Sequence, residues 1–155
     1  MTRIRLVFLL FIFVASVSAC KKSGSGEDVD PREQYLGVYD IDYSSKTSVT
    51  PGWPTYSEDA GEGTITITKA DGANEMSLLI NFDNYSSTEL VKLNGSEFTM
   101  NRTRDNLPFG NKVYDGEFTG TGRFEGNTIT MNSVTKVSQN GGLVEWKRAY
   151  KGSKR

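Results

Sequence analysis

From about residue 35 onward, apolar and polar residues alternate with a period of two along most of this chain. Successive side chains of a strand point to opposite faces, so each alternating run predicts a strand with one buried face. Tyr35, Gly37, Tyr39, Ile41 and Tyr43 share one face of the first run. Gly63-Thr64-Ile65-Thr66-Ile67-Thr68 gives a second, with Ile65 and Ile67 inward and Asp71-Gly72 as the turn that follows. Met76, Leu78, Ile80 and Phe82 line a third. Glu89 to Met100 reads as a hairpin, because Asn94-Gly95 is a favoured pair for a type I′ turn. Counting outward from that turn sets Lys92 opposite Glu97 and Val91 opposite Phe98, with Leu93 and Met100 on the apolar side. Val113 to Phe124 forms the sixth strand, in which glycines 116, 120 and 122 share a face with Tyr114, Phe118 and Phe124. Glu125-Gly126-Asn127 turns it into Thr128 to Met131, which Val134 and Val137 extend past a bulge. Asn140-Gly141-Gly142 leads into the last strand, Leu143 to Tyr150.

Eight sequential strands with short turns predict an all-β fold. An open meander leaves two unpaired edges, and closure into an eight-stranded antiparallel up-and-down barrel removes both. Eight strands enclose a space that side chains fill or that holds one small ligand. Glycines 116, 120 and 122 suit the strong bending of a small barrel. The expected core is Ile65, Ile67, Leu78, Ile80, Val91, Phe98, Phe118 and Ile129. A short N-terminal helical turn precedes it, since Asp30-Pro31-Arg32-Glu33 supplies a cap, a proline at the first position and an acid three residues after the cap.

Two stretches interrupt the alternation. Ser44 to Gly61 reads as a long loop over the barrel mouth, in which two prolines stiffen the segment around Trp53 and Tyr56. Exposed aromatics on a stiff loop serve as ligand or partner anchors, so both residues are candidate ligand contacts; the alternative is that Trp53 plugs the core. Asn101 to Phe109 reads as a second loop, and its Arg102 and Arg104 are candidates for meeting an anionic group or form a plain polar connection.

Composition narrows the chemistry. Lys and Arg total 18 against 19 Asp and Glu, with no basic face, so nucleic acid is not an expected partner. The absence of histidine removes Ser-His triads, histidine bases and histidine zinc sites together. Asp40 with Asp42, and Asp115 with Glu117, each share a strand face, and paired carboxylates are what glycoside hydrolysis needs. Acids on the polar face of an alternating strand are more commonly solvated. Glu58, Asp59 and Glu62 offer oxygen ligands for calcium but without the spacing of a calcium loop. The chain is therefore expected not to be an enzyme, and no motif calls for a cofactor or metal.

The N-terminus carries an address. Arg3 and Arg5 precede the apolar run Leu6 to Val14, which is too short for a comfortable membrane span of ~20 residues. Small residues then lead to the single cysteine. Val17-Ser18-Ala19-Cys20 resembles the lipobox of bacterial lipoproteins. The resemblance implies that residues 1–19 are a signal peptide, that Cys20 carries lipid, palmitate among its chains, and that the new N-terminus is anchored in a membrane. Lys21 rather than Asp follows the cysteine, which implies the outer membrane of a Gram-negative cell. Loss of residues 1–19 removes Arg3 and Arg5 and no acid, moving the formal charge from −1 to −3. Gly- and Ser-rich residues 20–32 form a flexible tether, residues 33–151 the barrel and residues 152–155 a disordered tail.

The domain itself resembles the small lipocalin-like (calycin) lipoproteins of Gram-negative bacteria. The matching pieces are Tyr35-Leu36-Gly37-Val38-Tyr39, the Gly-Thr-Ile-Thr-Ile strand, and Gly120-Thr121-Gly122-Arg123-Phe124 followed by Gly126-Asn127. Lipocalins carry Gly-X-Trp on the first strand with a late arginine packed on the tryptophan; here Tyr39 replaces the Trp and Arg148 is the late arginine. The resemblance implies a monomeric, membrane-anchored barrel that binds a small, largely apolar ligand. The alternative is a structural or interaction lipoprotein with a filled barrel that contacts another envelope protein, and a remoter one is a carbohydrate-active enzyme.

Overall fold

The computed structural model describes residues 29–53, 55–139 and 141–155, so the lipobox and the greater part of the tether lie outside the described residues. A single 3₁₀ turn, Glu33–Tyr35, is followed by nine strands among those residues: β1 Gly37–Thr50, β2 Ser57–Lys69, β3 Glu75–Phe82, β4 Tyr85–Asn94, β5 Glu97–Met100, β6 Arg104–Phe109, β7 Lys112–Glu125, β8 Thr128–Gln139 and β9 Gly142–Lys154. All pairings are antiparallel and β1 pairs with both β2 and β9. Pairing of β5 with β7, from Glu97↔Arg123 to Thr99↔Thr121, closes the ring. Because β6 pairs with the other half of the same β7 edge, β5 and β6 are two halves of one stave, and the barrel has eight.

All eight expected core residues are buried, at 3% exposure or less. They join Tyr39, Ile41, Met76, Leu93, Met100, Phe124 and Met131 in one cluster. The glycines of β7 make room for it. A methyl group on Gly122 would overlap the Phe98 ring, and one on Gly120 would overlap the Met100 sulfur.

The structure departs from the sequence reading in four places. The Ser44–Gly61 loop is largely strand: β1 and β2 run on as a ribbon to Thr47↔Ser57, leaving a tip of residues 51–56. The ribbon outruns the core, so it has no apolar face to betray it. The Asn101–Phe109 loop contains β6, hydrogen-bonded to β7 from Arg104↔Glu117 to Phe109↔Lys112. The β4–β5 register is two residues away from the expected one, with Leu93↔Phe98 and Val91↔Met100, and Gly95-Ser96 forms the turn with Gly95 at φ 64°. A two-residue slip keeps every side chain on its face. On the inward face the observed register sets apolar against apolar, whereas the expected one leaves Leu93 opposite Ser96. Finally, β9 continues to Lys154, and residues 152–154 pair with β1 and β8 in place of a disordered tail.

One end of the barrel is closed by the segment before β1. The Asp30 carboxylate accepts the Arg32 backbone N–H at 3.0 Å in the bend ahead of the turn, but the turn itself starts at Arg32 without a side-chain cap, and Glu33 pairs with Lys69 instead of completing the expected capping box. Arg32 Nη1 donates to the carbonyls of Ala70, Gly72 and Glu75 at 3.1, 2.6 and 3.0 Å, pinning the turn between β2 and β3. The Tyr35 ring stacks on Phe124 at 4.2 Å beneath the core.

Candidate functional site

The opposite end is open. There β2 pairs with β3 only as far as Thr64↔Asn81, while its ribbon with β1 continues to Ser57. The β3–β4 turn at Asp83-Asn84 is short, and β4 pairs with β5 only over residues 91–94. The wall is therefore low between β2 and β4, and a cavity of about 430 Å³ opens over it. That volume lies within the roughly 300–1,000 Å³ of small-ligand sites.

Aromatic rings form the walls. Tyr43 of β1 lies 5.2 Å from Phe82 of β3 and 5.1 Å from Tyr150 of β9, with Phe82 and Tyr150 6.5 Å apart. All three fall at inward positions of alternating strands. Burial pushes the Tyr43 hydroxyl up and the Tyr150 hydroxyl up to about 12, so both stay protonated as donors. Tyr85 and Trp146 complete the lining.

The floor is ionic. Arg102 donates to Glu89 at 2.8 Å and to Asp105 at 2.9 Å. Arg148 donates to Asp105 at 2.5 Å and to the Thr135 hydroxyl at 3.0 Å. Both guanidiniums rest on rings: Arg102 lies 4.1 Å over Phe118, and Arg148 4.1 Å over Trp146. The Nε of each arginine is buried without a partner. Burial raises the Glu89 carboxyl above its ordinary value, with Arg102 opposing. The local cause of the cluster is the break between β5 and β6. Inward residues are even-numbered through Phe98 and Met100 and odd-numbered at Asp105 and Leu107, so the irregular step at residues 101–103 turns Arg102 and Asp105 inward together.

The four residues singled out from sequence are dispersed. Arg102 lines the cavity. Arg104 points outward and pairs with Asp115 at 2.7 Å on the barrel exterior. Trp53 is 60% exposed at the β1–β2 tip, and Tyr56 packs against Phe109 at 4.6 Å beside it; neither lines the cavity. Arg148 lies on the indole of Trp146, two residues back on its own strand, and not on Tyr39 of β1 as the lipocalin pattern implies. Cys20 falls outside the described residues.

The outer carboxylates are also placed. Asp40 pairs with Arg155 and Asp115 with Arg104, and each guanidinium holds its carboxyl below the usual range. A carboxylate held ionised in this way is a poor general acid. Glu58, Asp59 and Glu62 lie on β2, where Glu58 pairs with Lys46 at 3.2 Å, and no group of three or more potential metal-ligating His, Cys, Asp or Glu side chains occurs among the described residues.

Sequence reasoning missed Glu89, Asp105, Trp146 and the aromatic wall. One signal was present: Glu89 shares its strand face with Val91 and Leu93, and a charge at an inward position marks a polar interior.

No protein-family model and no curated protein matches the chain. Among solved structures, the chain is similar to the sensor domain of PknI from M. tuberculosis in its monomer form, at 14% identity and a TM-score of 0.50, over 77% of this chain and 87% of that one. It is also similar to a protein of unknown function of the DUF3598 family from Nostoc punctiforme, at 12% identity and a TM-score of 0.47, covering 77% of this chain and about half, 48%, of that one. The likeness to the PknI domain is one of fold.

Proposed function

We propose that this chain is a lipid-anchored envelope protein whose small lipocalin-like barrel takes a small, largely apolar ligand into the cavity at its open end and does no chemistry on it. The observation that carries this reading is the 430 Å³ space walled by Tyr43, Phe82 and Tyr150 above the ionic floor of Glu89, Arg102, Asp105 and Arg148. Rigid rings supply apolar contact at low entropic cost, and the floor fixes the depth to which a ligand penetrates. The N-terminal pattern ending in Cys20 supports the anchor, and Lys21 supports the outer membrane.

The test is native mass spectrometry of the protein purified from its own envelope, together with fluorescence of single-tryptophan variants. A retained small molecule is expected, and Trp146 alone should respond when it is stripped and restored, because Trp146 lines the cavity and Trp53 does not. A response confined to Trp53 overturns the reading. For the anchor, Cys20→Ser should abolish acylation and leave a soluble or uncleaved product; retained acyl label would refute it.

A second reading rests on the rim. Trp53, Tyr56 and Phe109 form an exposed aromatic group at the open end, a composition typical of protein contacts. On that reading the barrel docks on another envelope protein through its tips, and Trp53→Ala would abolish crosslinking to that protein while leaving the fold intact.

A further inference from the structure

We propose that the cavity at the open end selects a ligand bearing an organic cation, an ammonium group on an apolar body, over its neutral and carboxylate counterparts. The inference rests on the small-ligand reading above and names the ligand's charge. Three acids at the cavity, Asp59, Asp83 and Glu89, stand against two guanidiniums, from Arg102 and Arg148; Glu62 borders it from an outward position of β2. Counting charges understates the asymmetry. The terminal nitrogens of both guanidiniums are already paired, Arg102 with Glu89 and Asp105 and Arg148 with Asp105, while the buried Nε of each has no partner. Among the described residues, no Lys or Arg lies within 4.0 Å of Asp59, Glu62 or Asp83. An anion entering the cavity passes the like charges of Asp59 and Asp83 and then reaches arginines whose terminal nitrogens already hold carboxylates. A cation meets an attractive rim.

The walls act in the same direction. Aromatic faces carry negative electrostatic potential, and Tyr43, Phe82 and Tyr150 pack against one another, with centroids 5.1 to 6.5 Å apart, as one ring surface along the cavity wall. An ammonium lying over that surface is attracted to it. Glu89 engages Arg102 through Oε1 and lines the cavity, so its carboxylate forms the polar end of that wall. The apolar body of the ligand then lies along the rings and its charge toward Asp59 and Asp83 at the rim.

The experiment compares three probes of nearly equal size on the purified protein: phenethylammonium, phenethyl alcohol and phenylacetate, by calorimetry and Trp146 fluorescence. The ammonium should bind at least tenfold more tightly than phenylacetate, with the alcohol between, and rising salt should shrink that ratio. Asp83→Asn and Asp59→Asn, both at exposed positions, should each weaken the ammonium severalfold and leave the alcohol unchanged. Glu89→Gln should weaken the ammonium about tenfold, with alcohol affinity as the check that the barrel is folded. Tighter binding of phenylacetate, or a preference for the ammonium that survives all three substitutions, overturns the inference while the small-ligand reading stands. Silence from all three probes overturns both.

Discussion

Asp105 and Arg148 meet at 2.5 Å inside the barrel, 43 residues apart in sequence, and each is almost fully buried. Asp105 also holds Arg102, so one carboxylate joins two guanidiniums from different staves. Removing one partner of a buried pair leaves the other charge unmet, at a cost of about 3–5 kcal/mol. Asp105→Ala should therefore destabilise the fold by that order in urea unfolding. Asp115→Ala on the exterior, where Arg104 is solvated, should be close to neutral. Equal effects from the two substitutions would mean that the interior cluster is hydrated like the surface.

Glu89 gives the fold an unusual pH dependence. Its carboxyl is raised above 4.5 by burial, so the folded chain holds that proton more tightly than the unfolded chain does. The stability linked to this proton is complete below about pH 4.5 and is lost as pH rises through the folded value. Asp40 and Asp115 run the other way: their arginine partners lower them from 3.8, so their contribution is present above 3.8 and is lost as pH falls through the folded values. Glu89→Gln should thus gain stability relative to wild type as pH increases above 4.5. Urea midpoints at about pH 4 and about pH 7 measure the difference, and a constant difference would refute the assignment.

Phe98 occupies space that Gly122 vacates, directly opposite it across the β5–β7 seam. Phe98→Ala should cost ~3–5 kcal/mol. Gly122→Ala should cost about 1–3 kcal/mol, because its new methyl meets both the Phe98 ring and the Thr130 carbonyl. Gly120→Ala should cost less, since its chief obstacle is the movable end of Met100. Reversal of the two glycine effects in thermal unfolding would contradict the packing described.

Arg32 binds the carbonyls of Ala70, Gly72 and Glu75, all in one turn. Arg32→Ala should release the turn between β2 and β3, and amide exchange across residues 70–75 should quicken far more than exchange in β8 or β9. Unchanged exchange there would show that the turn holds without its clamp.

The lower half of the barrel was legible because its signal is simple. Ile65, Ile67, Leu78 and Ile80 alternate with polar residues over a dry core, and period-two patterning reports such a face directly. The upper half does not follow that rule. Its inward positions hold Tyr43, Glu89, Asp105, Thr135 and Arg148, which by type alone read as outward or neutral. The β4–β5 register was hidden for a geometric reason: alternation has the same appearance after a slip of two. Arg102 and Arg104 look equivalent in sequence, and only the irregular backbone between β5 and β6 sends one inside and the other out.

The pinning of Arg32 and the seating of Tyr35 under Phe124 have a consequence for delivery. The chain enters the barrel at its sealed base, so the mouth lies at the end of the barrel opposite the point where the N-terminal segment joins it. A 14-residue strand such as β1 spans roughly 45 Å along its length, and with the usual barrel tilt its far tip stands roughly 30 Å beyond the base, above the low wall between β2 and β4. On the proposed reading of a lipid-anchored ligand binder, a ligand would reach that mouth from the aqueous side, by capture of a dispersed molecule or by hand-over from a carrier that meets the rim end-on.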